Sequence, residues 1–185
     1  MPSPRGPTRD ELDAATGRHM PDIIAPGLRV LFCGINPSLY SVVMGHHFAR
    51  PGNRFWPTLH LSGFTTRQLS PSEQGELREQ GLGITNVVDR ATATADLLDK
   101  SELTEGARSL EAKVRRYHPR FLAVLGMGAY RTAFARPKAQ LGLQEETLGT
   151  TRLWVLPNPS GLNAHYQLPD LARLYAQLRL AADTR

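Results

Sequence analysis

Short apolar runs alternate with longer amphipathic stretches along this chain. Leu28-Arg29-Val30-Leu31-Phe32-Cys33, Gly83-Ile84-Thr85-Asn86-Val87-Val88, Phe121-Leu122-Ala123-Val124-Leu125 and Leu153-Trp154-Val155-Leu156 are too short for helices. Being rich in β-branched and large apolar residues, they predict strands buried on both faces, the pattern of a parallel sheet. Between and after them the period lengthens. Thr104 to Tyr117 reads as an amphipathic helix with Leu110 and Val114 on one face, ended by His118-Pro119. Leu168-Pro169-Asp170 opens a last helix whose Leu171, Leu174, Leu178 and Leu180 are expected to face inward. Gly126-Met127-Gly128 predicts a tight turn into a helix carrying Tyr130 and Phe134. Asn53 is placed to cap a helix of Phe55, Trp56 and Leu59, and Ser70-Pro71-Ser72-Glu73 to start another. Thr8-Arg9-Asp10-Glu11 resembles a capping box and predicts a short helix over about 9–16. Strands alternating with helices predict an α/β fold with helices on both faces of a mainly parallel sheet.

Residues 1–8 are rich in Pro, Ser and Gly, so 1–20 is expected to be a flexible extension with at most a short helix. Residues 21–185 then form a single domain, with no internal repeat and no linker. Ser38 to Gly52 reads as a long loop, a length that points to function.

Two of the strands end in Asn-Pro-Ser turns, Gly34-Ile35-Asn36-Pro37-Ser38 and Pro157-Asn158-Pro159-Ser160-Gly161-Leu162. Chain just past a strand's carboxyl end builds the ligand crevice of open α/β sheets. Proline holds the preceding residue out of the helical region. Asn36 and Asn158 are therefore expected in rigid, extended conformations. Asp89 stands just past the second predicted strand. It is either a carboxylate facing the same crevice, as general base or charge stabiliser, or a helix cap or an ion-pair partner of Arg90. Asp96 and Asp99 read as solvated surface residues. His46 and His47 lack metal-ligand spacing, and one of them is a candidate phosphate contact.

Charge narrows the partners. Lys and Arg number 22 against 17 Asp and Glu, for a net charge of +5, with an isoelectric point near 9.8. That balance suits a polyanion, although a solvated basic surface has the same signature. The single cysteine, Cys33, excludes an intrachain disulfide and a Cys-rich metal site, and reads as a small core residue. No apolar run approaches the ~18 residues of a membrane span. The first residues lack a signal peptide's apolar centre, so a cytoplasmic location is expected. Neither a Gly-x-Ser-x-Gly elbow nor a Walker A string is present, which removes support for an α/β hydrolase acting on small nucleotides.

Four strings in order carry a resemblance. They are Ile24-Ala25-Pro26-Gly27-Leu28-Arg29-Val30 running into Gly34-Ile35-Asn36-Pro37, Phe48-Ala49-Arg50-Pro51-Gly52-Asn53-Arg54-Phe55-Trp56, Val87-Val88-Asp89-Arg90, and Leu156-Pro157-Asn158-Pro159-Ser160-Gly161-Leu162. Across almost everything after residue 20 the chain resembles the mismatch-specific uracil-DNA glycosylases, the thymine-DNA glycosylase-like branch of the uracil-DNA glycosylase superfamily. The resemblance implies a single three-layer α/β/α domain with a short central sheet. It implies a monofunctional enzyme that flips uracil, with thymine or damaged pyrimidines as further candidates, out of double-stranded DNA. Water then attacks C1′, with no cofactor and no metal, and the enzyme is a monomer. No lysine stands at a matched catalytic position to form a Schiff base. The alternative on the same fold is a non-catalytic module that binds DNA or nucleotides.

By the same resemblance Asn36 holds the water, Phe48 stacks on the flipped base, and the N–H groups of Ile35 and Phe48 read its oxygens. Ser41 falls near the pocket. Leu162 is the wedge that fills the vacated stack, with Gly161 allowing close approach and Asn158, Ser160 and Asn163 around it on the DNA. The plainer readings are a simple Asn-Pro turn for Asn36, a core ring for Phe48 and a packed turn residue for Leu162. Three positions depart from the pattern. Ser38 replaces a glycine, and a side chain there either narrows the base site or changes which bases enter. Asn86 replaces a lysine. Asn163-Ala164 replaces Ser-Arg after the wedge, so the arginine that would read the opposite strand is missing and a preference for guanine opposite is not implied; Asn163, His165 and Tyr166 are candidates to replace it in part.

Overall fold

The computed structural model describes residues 5–184. Six helices, α1 (Arg9–Ala14), α2 (Leu39–Met44), α3 (Phe55–Leu61), α4 (Lys100–Tyr117), α5 (Met127–Ala133) and α6 (Leu168–Asp183), surround one sheet. Its strands are β1 (Val30–Gly34), β2 (Leu82–Asn86), β3 (Phe121–Leu125), β4 (Gly142–Leu148) and β5 (Thr151–Leu156), in the order β2-β1-β3-β5-β4. All pairs are parallel except β4 with β5. β1, β2 and β3 are buried at every position, because their alternate side chains meet a different helical layer on each face. Val30, Phe32, Ile84 and Trp154 pack with Phe55 and Leu59 of α3 and Tyr175 and Leu178 of α6. Leu31, Cys33, Val124 and Val155 meet Leu110 and Val114 of α4 and Tyr130 of α5. The architecture is the expected three-layer α/β/α sandwich.

Several local expectations are corrected. β4 was not expected. It is an edge strand whose Gln144, Glu145 and Glu146 hide the apolar signal that marks the buried strands. The expected loop from Ser38 to Gly52 contains α2, started by Ser38 as N-cap and stopped by Gly45 in the left-handed region. α4 begins a turn earlier than predicted, because Asp99, read as a surface residue, forms a capping box with Glu102. The helix cued by Ser70 is a 3₁₀ helix, Pro71–Gln80. Leu180 is 59% exposed rather than inward; Leu171, Tyr175, Leu178 and Ala182 form the buried stripe of α6.

The expected N-terminal extension is docked from α1 onward. Thr8 and Glu11 make the predicted capping box. Ala15 and Met20 pack with Val42 of α2 and Ala91. Gly17 N–H donates to Ala91 O, and Ala91 N–H to Arg18 O. These contacts brace the 87–92 segment, which carries part of the site. The expectation for residues 1–4 lies outside the described residues. No helix among the described residues is long and apolar enough to cross a membrane.

Candidate active site

A cleft of about 480 Å³ opens at the carboxyl ends of β1, β2 and β5. Asn36 lines it from the turn after β1. Its Nδ2 donates to Arg90 O at 3.0 Å and to Thr92 Oγ1 at 2.7 Å. Thr92 Oγ1–H in turn donates to Thr94 O at 2.7 Å. Both amide hydrogens are thus committed, and the acceptors fix which way round the amide sits. What Asn36 retains is the carbonyl oxygen Oδ1, which has no protein donor among the described residues. It can accept a hydrogen bond from water and aim the water's lone pair. It cannot deprotonate that water.

Phe48 forms another wall. Its ring stacks on Phe55 at 4.1 Å between centroids, so one face is covered and the residue is half-buried. Its φ of 53° is left-handed, a conformation that costs a bulky residue about 1–3 kcal/mol and concentrates at functional sites. The Phe48 N–H has no acceptor among the described residues. Ser38 and Ser41 both line the cleft, but their hydroxyls are engaged with the scaffold. Ser38 Oγ donates to Ser41 Oγ, which also accepts from Ala49 N–H. They tether the Phe48 loop to the start of α2. Ile35 contributes to the same wall.

The sequence reading missed Asn86 as a site residue. It ends β2 on the cleft and is only 7% exposed, yet neither amide heteroatom has a partner among the described residues. Its amide atoms are not sealed in the core but face the open cleft, where water or a ligand can meet them. Its Oδ1 lies over Gly34. A Cβ built there would come within 2.6 Å of that oxygen and 3.4 Å of the Phe48 ring. The missing side chain of Gly34 therefore leaves open the space between the amide and the ring. The available signal was an amide closing a buried strand.

The loop after β5 carries Leu162, 69% exposed, over the cleft mouth. Asn158 Oδ1 accepts from Ser160 N–H, Ser160 Oγ from Leu162 N–H, and Asn163 Oδ1 from His165 N–H. Asn163 Nδ2 donates to Asn158 O. These polar side chains build the loop rather than project from it. A Cβ on Gly161 would meet Gly52 O at 2.6 Å, so this loop fits tightly against the one before α3. His165 is exposed beyond Leu162, and Tyr166 is half-buried against the core.

Asp89 does not join these residues. It is exposed, outside the cleft, caps no helix, and Arg90 pairs with Glu102 instead. Among the described residues the carboxylate lining the cleft is Asp96, a solvated surface residue as expected, exposed at the lip; the correction concerns Asp89 alone. Arg50 is an exposed cation at the same rim. Among the described residues no group of His, Cys, Asp and Glu could hold a metal ion.

His47 is 3% exposed and is structural rather than a phosphate contact. Its Nε2 lies 2.8 Å from Pro21 O, to which it must donate, and its carbonyl accepts from Trp56 Nε1. Burial, the largest influence, holds its pKa below the ordinary 6.5. On acidification through 6.5 the unfolded chain takes up a proton at this position before the folded chain does. The neutral ring therefore contributes stability above that pH, and the contribution is lost as pH falls further. Thermal unfolding at about pH 5.5 and about pH 7.5 should show a larger loss for the native protein than for His47→Gln.

A family model described as the uracil DNA glycosylase superfamily matches residues 21–179. The fold is similar to a solution NMR structure of a candidate uracil DNA glycosylase from Methanosarcina acetivorans. The TM-score is 0.54 and the identity 18%, over 88% of this chain and 98% of that one.

Proposed function

The chain belongs to the uracil DNA glycosylase superfamily, and from that premise we propose that it is a monofunctional, mismatch-directed glycosylase that releases uracil from double-stranded DNA. Superfamily membership itself suggests DNA glycosylase activity; the base, the branch and the mechanism are the proposal. The observation that carries it is one cleft holding an acceptor-only amide, a half-covered aromatic ring and a second amide, that of Asn86, with no protein partner among the described residues.

A base inside the duplex is out of reach, so the nucleotide is everted first. The uracil ring enters the gap over Gly34 and stacks on the free face of Phe48, a contact worth about 1–3 kcal/mol for a base. Asn86 and the Phe48 N–H meet its polar edge. As the C1′–N1 bond lengthens, its electron pair moves onto the base, and these donors stabilise the charge on the base oxygens. The sugar becomes oxocarbenium-like. Water held by Asn36 Oδ1 then adds to C1′ and loses its proton to solvent. The uracil anion picks up a proton, leaving free uracil and an abasic site. Arg50 meets a flanking phosphate at the rim, and Leu162 occupies the gap in the stack.

The test is release of labelled uracil from duplexes with guanine or adenine opposite. Binding without release would favour a non-catalytic module. The same assay separates the two acidic residues. Asp89→Asn should leave the rate within about twofold, as an exposed residue remote from the reacting atoms would.

A further inference from the structure

Arg54 is the N-cap residue of α3, and its side chain turns away from the helix into the Leu162 loop. Its guanidinium donates to four carbonyl oxygens there. Nε reaches Pro159 O at 3.3 Å, Nη2 reaches Ser160 O at 2.5 Å and Asn163 O at 3.0 Å, and Nη1 reaches Tyr166 O. Its backbone N–H adds a bond to Pro159 O at 2.9 Å. The carbonyls span the loop from one side of Leu162 to the other. A loop of this length, presenting an exposed leucine, would ordinarily sample many conformations, and a wedge that had to be ordered on contact would lose that entropy at insertion. Here the ordering is already in place. The guanidinium presents five N–H donors in a fixed planar fork, whereas an ammonium has three on a freely rotating group.

The same residue is joined to the base site. Phe55, next in sequence, stacks on Phe48. Residues 48–55 therefore connect the aromatic wall of the cleft to the brace under Leu162. We propose that Arg54 is a positioning residue for strand invasion. It holds the wedge loop pre-formed in register with the Phe48 wall, so that Leu162 enters the duplex without a prior ordering step. This inference rests on the glycosylase reading.

The test is a double-mutant cycle with Arg54→Lys and Leu162→Ala, read twice. One readout is single-turnover uracil release. The other is the fluorescence of a 2-aminopurine placed beside a non-hydrolysable uracil analogue, which reports eversion without chemistry. Arg54→Lys should reduce both by about tenfold, as loss of bidentate geometry does, and should add less than about twofold in the Leu162→Ala background. Additive losses would overturn the proposal, because Arg54 would then act independently of the wedge. Hydrogen exchange on the native protein gives a second readout that no unfolded variant can confound. The amides of Ser160, Leu162, Asn163 and His165 should be protected, and exchange at the rate of an open loop would also overturn it. A native protein that everts the analogue but releases no uracil refutes the glycosylase reading and leaves the brace standing.

Discussion

Asn36→Ala should slow single-turnover uracil release about a hundredfold or more, the cost of losing the orientation of a reacting group. Affinity for a uracil-containing duplex should stay within about twofold, because on the proposed reading Asn36 acts on the reacting sugar and not on the phosphates. The basis is the hydrogen-bond census of one amide. With Nδ2 held by Arg90 O and Thr92 Oγ1, the side chain offers water a single acceptor at a fixed angle, and alanine offers none. The same substitution leaves Arg90 O and Thr92 without their donor, so a lowered melting temperature is expected alongside. Rates are therefore compared well below that transition. Affinity falling in parallel with rate would remove the water-holding role.

Gly34→Ala should lower kcat/KM for uracil in duplex DNA by at least about tenfold, the scale on which one added carbon in a fitted pocket acts. Its melting temperature should change little. Gly34 closes β1 without a positive φ, so alanine is conformationally acceptable there. The nearest obstacle is the far end of the Asn86 side chain, which can swing aside. The fold survives while the base site loses both room and the aim of its amide. Normal activity in Gly34→Ala would place the base elsewhere.

The layers were legible because their signals are local. Phe121 to Leu125 is apolar without a break and is β3 at those bounds. β4 was illegible because an edge strand need bury only half of its side chains, and those of Gln144 to Glu146 are polar. α2 has six residues, too few for a helical period to show. The site divides the same way. Asn36, Phe48 and Leu162 stood in recognisable strings at strand ends or in loops. Thr92 and Arg54 did not stand out, because each matters through partners far along the chain, 56 residues away for Thr92 and over a hundred for Arg54. Asp89 and Asp96 are seven positions apart, Asp89 in a loop and Asp96 in a single 3₁₀ turn, Ala95–Leu97. Which of them reaches the cleft is decided by turns that composition does not specify.

Arg54 grips main-chain oxygens, which every amino acid possesses. The identity of the tip side chains is thereby uncoupled from the integrity of their mount. Ala164, exposed at the position where relatives are expected to carry arginine, can be exchanged for arginine without touching any of those four acceptors. On the proposed reading the loop is a socket for interchangeable reading heads, and an exchange at Ala164 would alter tolerance for the orphaned partner base while the cleft floor stays as it is.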